Sequence, residues 1–143
     1  MRHRAFVDQV DEERVVAAIR EAEARTSGEI RVFISRHRVR DALGAAAREF
    51  VRLGMDKTRQ HNAVLLFIAP RSQTFAIYGD TGIHAECGEG FWQAVRDEMA
   101  PHLKAGDYTQ ALTHAIGRSG GLLAERFPPE DSRNELCDTV VRE

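Results

Sequence analysis

The chain has 143 residues, 43% of them hydrophobic and 29% charged, which are the proportions of one ordinary globular domain and exclude a disordered segment. A formal net charge of −2 argues against a dedicated nucleic-acid binder, which carries a clear basic excess. No apolar signal region follows the basic start, because Asp8 and Asp11 interrupt it, and the longest apolar run, Ala63–Ala69, is far short of a membrane span.

A cytoplasmic protein with no direct membrane insertion is therefore expected, and any membrane contact would need a partner protein. Cys87 and Cys137 lack C-x-x-C spacing. They read as two free thiols in a reducing cytosol, with a single disulfide as the alternative.

In chain order, Asp8 or Asp11 can cap a first helix, with Glu12 and Glu13 at its positive end. Val15, Ala18, Ile19 and Ala22 make its apolar stripe, and Thr26-Ser27-Gly28 stops it. Ile30, Val32 and Ile34 alternate with Arg31, Phe33 and Ser35, which predicts a strand with one face more buried than the other. A basic stretch of Arg36, His37, Arg38 and Arg40 follows; it could hold an anion or form a solvated loop. Asp41 caps a second helix with the stripe Leu43, Ala46, Ala47 and Phe50, ending near Gly54.

Ala63–Ala69 is continuously apolar and predicts a central strand covered on both faces. A turn over 70–73 leads to an antiparallel strand over 74–78. The first strand, second helix and second strand form one βαβ unit, so the first two strands should be parallel. Gly79-Asp80-Thr81-Gly82 ends the third strand. Phe91, Trp92, Val95 and Met99 mark a helix stopping at Pro101. Asp107 caps the last long helix, whose stripe is Tyr108, Ala111, Leu112, Ala115, Ser119 and Leu122; close packing is the expected reason for its Gly117, Gly120 and Gly121. The predicted architecture is an α/β domain over 1–128, with a small mixed β-sheet sandwiched by helices. A loosely attached polar tail follows over 129–143, in which Leu136, Val140 and Val141 could dock.

Four local sequences in this order carry a resemblance. They are Thr26-Ser27-Gly28-Glu29-Ile30, the strand Ala63–Ala69 preceded by His61-Asn62, Tyr78-Gly79-Asp80-Thr81-Gly82-Ile83-His84, and Lys104-Ala105-Gly106-Asp107-Tyr108 before an Ala/Gly-rich helix. Over roughly 10–127 the chain resembles the TPM domain family, in a stand-alone, soluble bacterial form. The resemblance implies an α/β sandwich. It also implies one of several activities: acid phosphatase activity and photosystem II repair in chloroplast members, auxiliary roles on membrane proteins in animal members, or calcium binding. The signal peptide and membrane anchor of many bacterial members have no counterpart here.

Parallel first and second strands put Glu29 and Asn62 at strand starts on one edge of the sheet, and an antiparallel third strand puts Asp80 just past its end on that edge. Two carboxylates and an amide oxygen are hard ligands suited to Ca²⁺ or, less well, Mg²⁺. Glu86 and Glu89 could add ligands. The bland alternative makes Asp80 an Asx-turn residue and leaves Glu29 and Asn62 as solvated strand ends. His84 is a candidate acid or base, or an ordinary turn histidine.

Phosphatase signatures are missing. Cys87 has Gln93, not arginine, at the phosphatase-loop spacing, and there is no D-x-D motif and no nucleophile elbow. The expected function is a calcium-binding accessory or regulatory module with a possible protein partner. The alternative is a weak metal-dependent acid phosphatase that uses a metal-bound water at the Asp80 edge.

Overall fold

The computed structural model describes residues 10–129 and 140–142. Asp8, Leu136 and Cys137, named above, lie outside the described residues. Asp11 caps α1 (Glu12–Glu23) by accepting the Arg14 N–H at 3.2 Å. Val15, Ile19 and Ala22 are buried, as the 3.6-residue period requires. The chain then enters β1 (Glu29–Ile34) through Gly28, where a Cβ would lie 2.7 Å from Leu123 Cδ2 and 3.0 Å from the Asn62 carbonyl oxygen.

The remaining elements are α2 (Ala42–Arg52), β2 (Ala63–Ala69), β3 (Thr74–Gly79), α3 (Thr81–Lys104), α4 (Tyr108–Arg126) and β4 (Val140–Arg142). The sheet order is β3-β2-β1-β4. β1 and β2 are parallel with Glu29 opposite Ala63, and β2 and β3 are antiparallel with Val64 opposite Gly79. The expected mixed sheet between helices is therefore borne out. One face packs on α1, α3 and α4 through Ile30, Val32, Val64 and Leu66. The other packs on α2 through Phe33, Leu65 and Phe67, and the Phe33 and Phe67 rings stack at 5.6 Å.

Several expectations need correction. All six residues of β1 are buried, not one face of it, because strands flank it on both edges and helices cover both faces. The C-terminal tail is not loose throughout: Val140 and Val141 pair with Val32 and Phe33 as β4, parallel to β1. The apolar stripe of α2 is rotated. Ala45, Ala46 and Phe50 face the sheet, while Leu43 is 50% exposed. The two alanines let the helix come close, and Phe50 meets the Tyr78 ring at 4.8 Å.

Gly79 ends β3 as expected, but the chain turns straight into α3 there: Asp80 caps that helix, accepting the Thr81 N–H at 2.7 Å, and Thr81 and Gly82 are its first residues. α3 bends at Gly88 (φ 74°) and runs through Pro101 to Lys104. In α4 the buried position is Leu123, with Leu122 half-buried. Among its glycines only Gly120 is packed: a Cβ there would meet Ala22 Cβ at 2.6 Å, whereas Gly117 and Gly121 face open space.

Candidate functional site

Ala63 is the hub of one end of the sheet. Glu29 is its register partner on β1, Asn62 precedes it, and its carbonyl accepts the Asp80 N–H at 3.0 Å. The topology thus brings Glu29, Asn62 and Asp80 to the same end. All three are buried, at 3%, 1% and 5% exposure. The pleat places Glu29 on the face of β1 that carries Arg31 and Phe33, the face that α2 covers.

Asp80 is more than a turn residue. One oxygen caps α3 at the Thr81 N–H, and the other lies 3.3 Å from His61 Nδ1. The Asn62 amide nitrogen donates to Ser27 Oγ at 3.2 Å and to Gln60 Oε1 at 3.4 Å. Ser27 Oγ itself donates to Gln60 Oε1 at 3.0 Å. This arrangement fixes the amide by its nitrogen and leaves its oxygen for another partner.

The loop before β2 holds these groups. His61 adopts a left-handed φ of 51°, and Gly82 packs so tightly beneath it that a Cβ would stand 2.2 Å from the Gln60 carbonyl oxygen. Gln60 and His61 were not identified as site residues from sequence. Only the His61-Asn62 pair directly before the apolar strand hinted at them.

The other candidates lie elsewhere. His84 Nδ1 accepts the Trp92 indole N–H at 3.2 Å, within α3. Glu86 faces Arg126 at 3.9 Å and Glu89 pairs with Arg96 at 2.5 Å, so both carboxylates are engaged with arginines. Among the described residues, no three His, Cys, Asp or Glu side chains are gathered to hold a metal. Cys87 is a half-buried free thiol, and burial raises its pKa.

Two further features bear on chemistry. Glu98 on α3 accepts from Arg118 Nε at 2.9 Å and from His114 Nε2 at 2.7 Å, both on α4. Arg118 first and His114 second hold its carboxyl down at about 2. At the opposite end of the sheet from Ala63, a cavity of about 540 Å³ lies between β2, β3 and the α3–α4 connection. Ile68, Phe75, Leu103 and Tyr108 line it and Lys104 is its one charged wall residue.

The four local sequences now have structural reasons. Gly28 and Gly82 permit close approach, Asp80 caps α3, and Asp107 caps α4 by accepting the Gln110 N–H at 3.2 Å. A family model for the TPM domain matches residues 2–121. The chain belongs to the TPM domain family. This TPM domain is similar to the BA42 protein from the psychrophilic bacterium Bizionia argentinensis, with 38% identity over 92% of each chain and a TM-score of 0.84. It also shares its fold with the N-terminal domain of a P. gingivalis protein, with 17% identity, a TM-score of 0.59, and coverage of 81% of this chain and 75% of that one. No curated protein matches it. Among the described residues of this TPM domain, no helix is long and apolar enough to cross a membrane.

Proposed function

We propose that this TPM domain is an accessory or regulatory module that responds to a divalent cation, with Glu29, Asn62 and Asp80 as the protein ligands. The observation that supports this most is the burial of two carboxylates at one end of the sheet, joined through Ala63. Asp80 keeps the Thr81 N–H and His61 as protein partners, and a divalent cation at this end of the sheet would add positive charge where burial makes it most favourable. Asn62 adds a neutral oxygen, because Ser27 and Gln60 occupy its nitrogen. Two carboxylates, one amide oxygen and water make an irregular hard-oxygen set, which suits calcium better than the strict octahedron of magnesium.

A thermal melt tests this. A ligand that binds only the folded state stabilises it by about 2.7 kcal/mol at a hundredfold excess over its dissociation constant. For a domain of this length that is a rise of about 10 °C. Calcium should raise the melting temperature and a chelator should reverse the rise. An unchanged melt at saturating calcium overturns the proposal. The same samples assayed with a phosphomonoester and added Ca²⁺ or Mg²⁺ address the phosphatase alternative, for which little or no turnover is expected.

A further inference from the structure

We propose that the outer face of α2, together with the loop over 36–40, is a peripheral docking surface for an anionic lipid bilayer. Leu43 and Val51, 50% and 60% exposed, are the exposed large hydrophobics among the described residues. Both lie on α2, two turns apart, with Ala47 between them, so they form one stripe along a single side of the helix. The sheet does not need them, because Ala45, Ala46 and Phe50 already fill its contact with α2.

The charge around this stripe is segregated. Residues 31–59 hold eight basic and three acidic side chains, against 12 basic and 19 acidic in the rest of the chain. Arg38, Arg40 and Arg48 are exposed beside the stripe. The Val39 N–H donates to Ser72 Oγ at 3.0 Å, which ties the 36–40 loop to the turn bearing the exposed Arg71. Of the acids, Asp41 is used in capping α2 and Glu49 pairs with Arg52. The opposite layer of helices, α1, α3 and α4, holds nine acidic and six basic side chains, so an anionic plane favours the α2 side over that one.

A bilayer fits this surface better than an acidic protein does. Protein hot spots are aromatic or arginine anchors seated in pockets. This stripe is Leu, Ala and Val on a convex helix. Shallow aliphatic side chains ringed by arginines are the composition of an interfacial helix, in which apolar contact and polybasic attraction act together. Each arginine near the lipid surface should strengthen binding about fivefold. This proposal is independent of the calcium reading.

The test is co-sedimentation of the full chain with vesicles of phosphatidylcholine, alone or mixed with phosphatidylserine, in the presence of a chelator so that no cation bridges protein and lipid. Binding should require phosphatidylserine and weaken at least about tenfold at high salt. The Arg38→Glu/Arg40→Glu/Arg48→Glu variant should lose binding. Leu43→Ser/Val51→Ser should weaken it severalfold while keeping the salt dependence, with melting curves showing that both variants stay folded. Equal pelleting with both lipids, or none with phosphatidylserine, overturns the proposal. So does binding to soluble polyglutamate as tight as to vesicles and indifferent to Leu43 and Val51, the outcome expected of an acidic protein partner.

Discussion

The buried carboxylate of Glu23 accepts the backbone N–H of Ile30 at 2.8 Å, tying the last turn of α1 to the second residue of β1. Among the described residues β4 pairs with β1 from Val32 onward, and at the level of Ile30 the Glu23 side chain provides a hydrogen bond of the kind a strand provides further along. Glu23→Ala should cost about 1–3 kcal/mol, because it leaves a buried N–H without its acceptor. Glu23→Gln, which keeps an acceptor oxygen, should cost less. Urea unfolding of the two variants checks the order, and equal losses would show that charge rather than hydrogen bonding matters there.

Glycines in helices separate into two kinds. Gly82→Ala in α3 should destabilise by about 1–3 kcal/mol despite alanine's better propensity, since its Cβ would collide with the Gln60 and His61 carbonyl oxygens at 2.2 and 2.6 Å. Gly117→Ala and Gly121→Ala in α4 meet open space and should each stabilise by about 0.5–1 kcal/mol. Thermal denaturation distinguishes these opposite signs.

Asp80 has two duties that one substitution can divide. Asp80→Asn keeps an oxygen for the Thr81 N–H and should change the cation-free melting temperature little, while reducing the calcium-induced rise. Asp80→Ala removes the cap as well and should lower the cation-free melt, at about 1 kcal/mol for the cap. A weaker calcium response in both variants, with the cation-free melt lowered only in Asp80→Ala, is the expected pattern.

The Glu98 carboxyl gives a pH signature. Its folded pKa is lowered from 4.5 to about 2 by Arg118 and His114, so its contribution to stability is present above 4.5 and is lost as pH falls toward 2. Because the group is exposed, the effect should be small and weakened by salt. The melting temperature of Glu98→Gln should therefore fall less steeply than that of the unsubstituted chain between pH 4.5 and 2. Parallel slopes would show that the Arg118–Glu98 pair is not held in solution.

The core strand makes a simpler demand. Leu65→Ala or Phe67→Ala should cost about 2–5 kcal/mol, since both side chains are buried between the sheet and α2. Chemical denaturation gives the value directly.

The sequence alone determined what depends on neighbours along the chain. The unbroken apolar run Ala63–Ala69 marked the bounds of β2, because seven apolar residues in a row, too few for a long helix, suit a strand covered on both faces. Asp11, Asp41 and Asp107 marked helix starts, since a cap acts within three residues of itself. One parallel and one antiparallel pairing were enough to bring Glu29, Asn62 and Asp80 to a single end of the sheet. Contacts between distant segments were decided only by the tertiary structure. β4, described over Val140–Arg142, is too short a stretch to show a period; it pairs there because β1 has its second edge free of β2. Leu43 looked like core in the helical pattern, yet packing through Ala45 and Ala46 turned it outward. Gly120 is required by Ala22, which lies far away in sequence, while Gly117 and Gly121 are required by nothing around them. Propensity, capping and hydrophobic period act over a few residues, but steric fit and hydrogen-bond partnership act across space, so they emerge only once the helices and sheet are assembled.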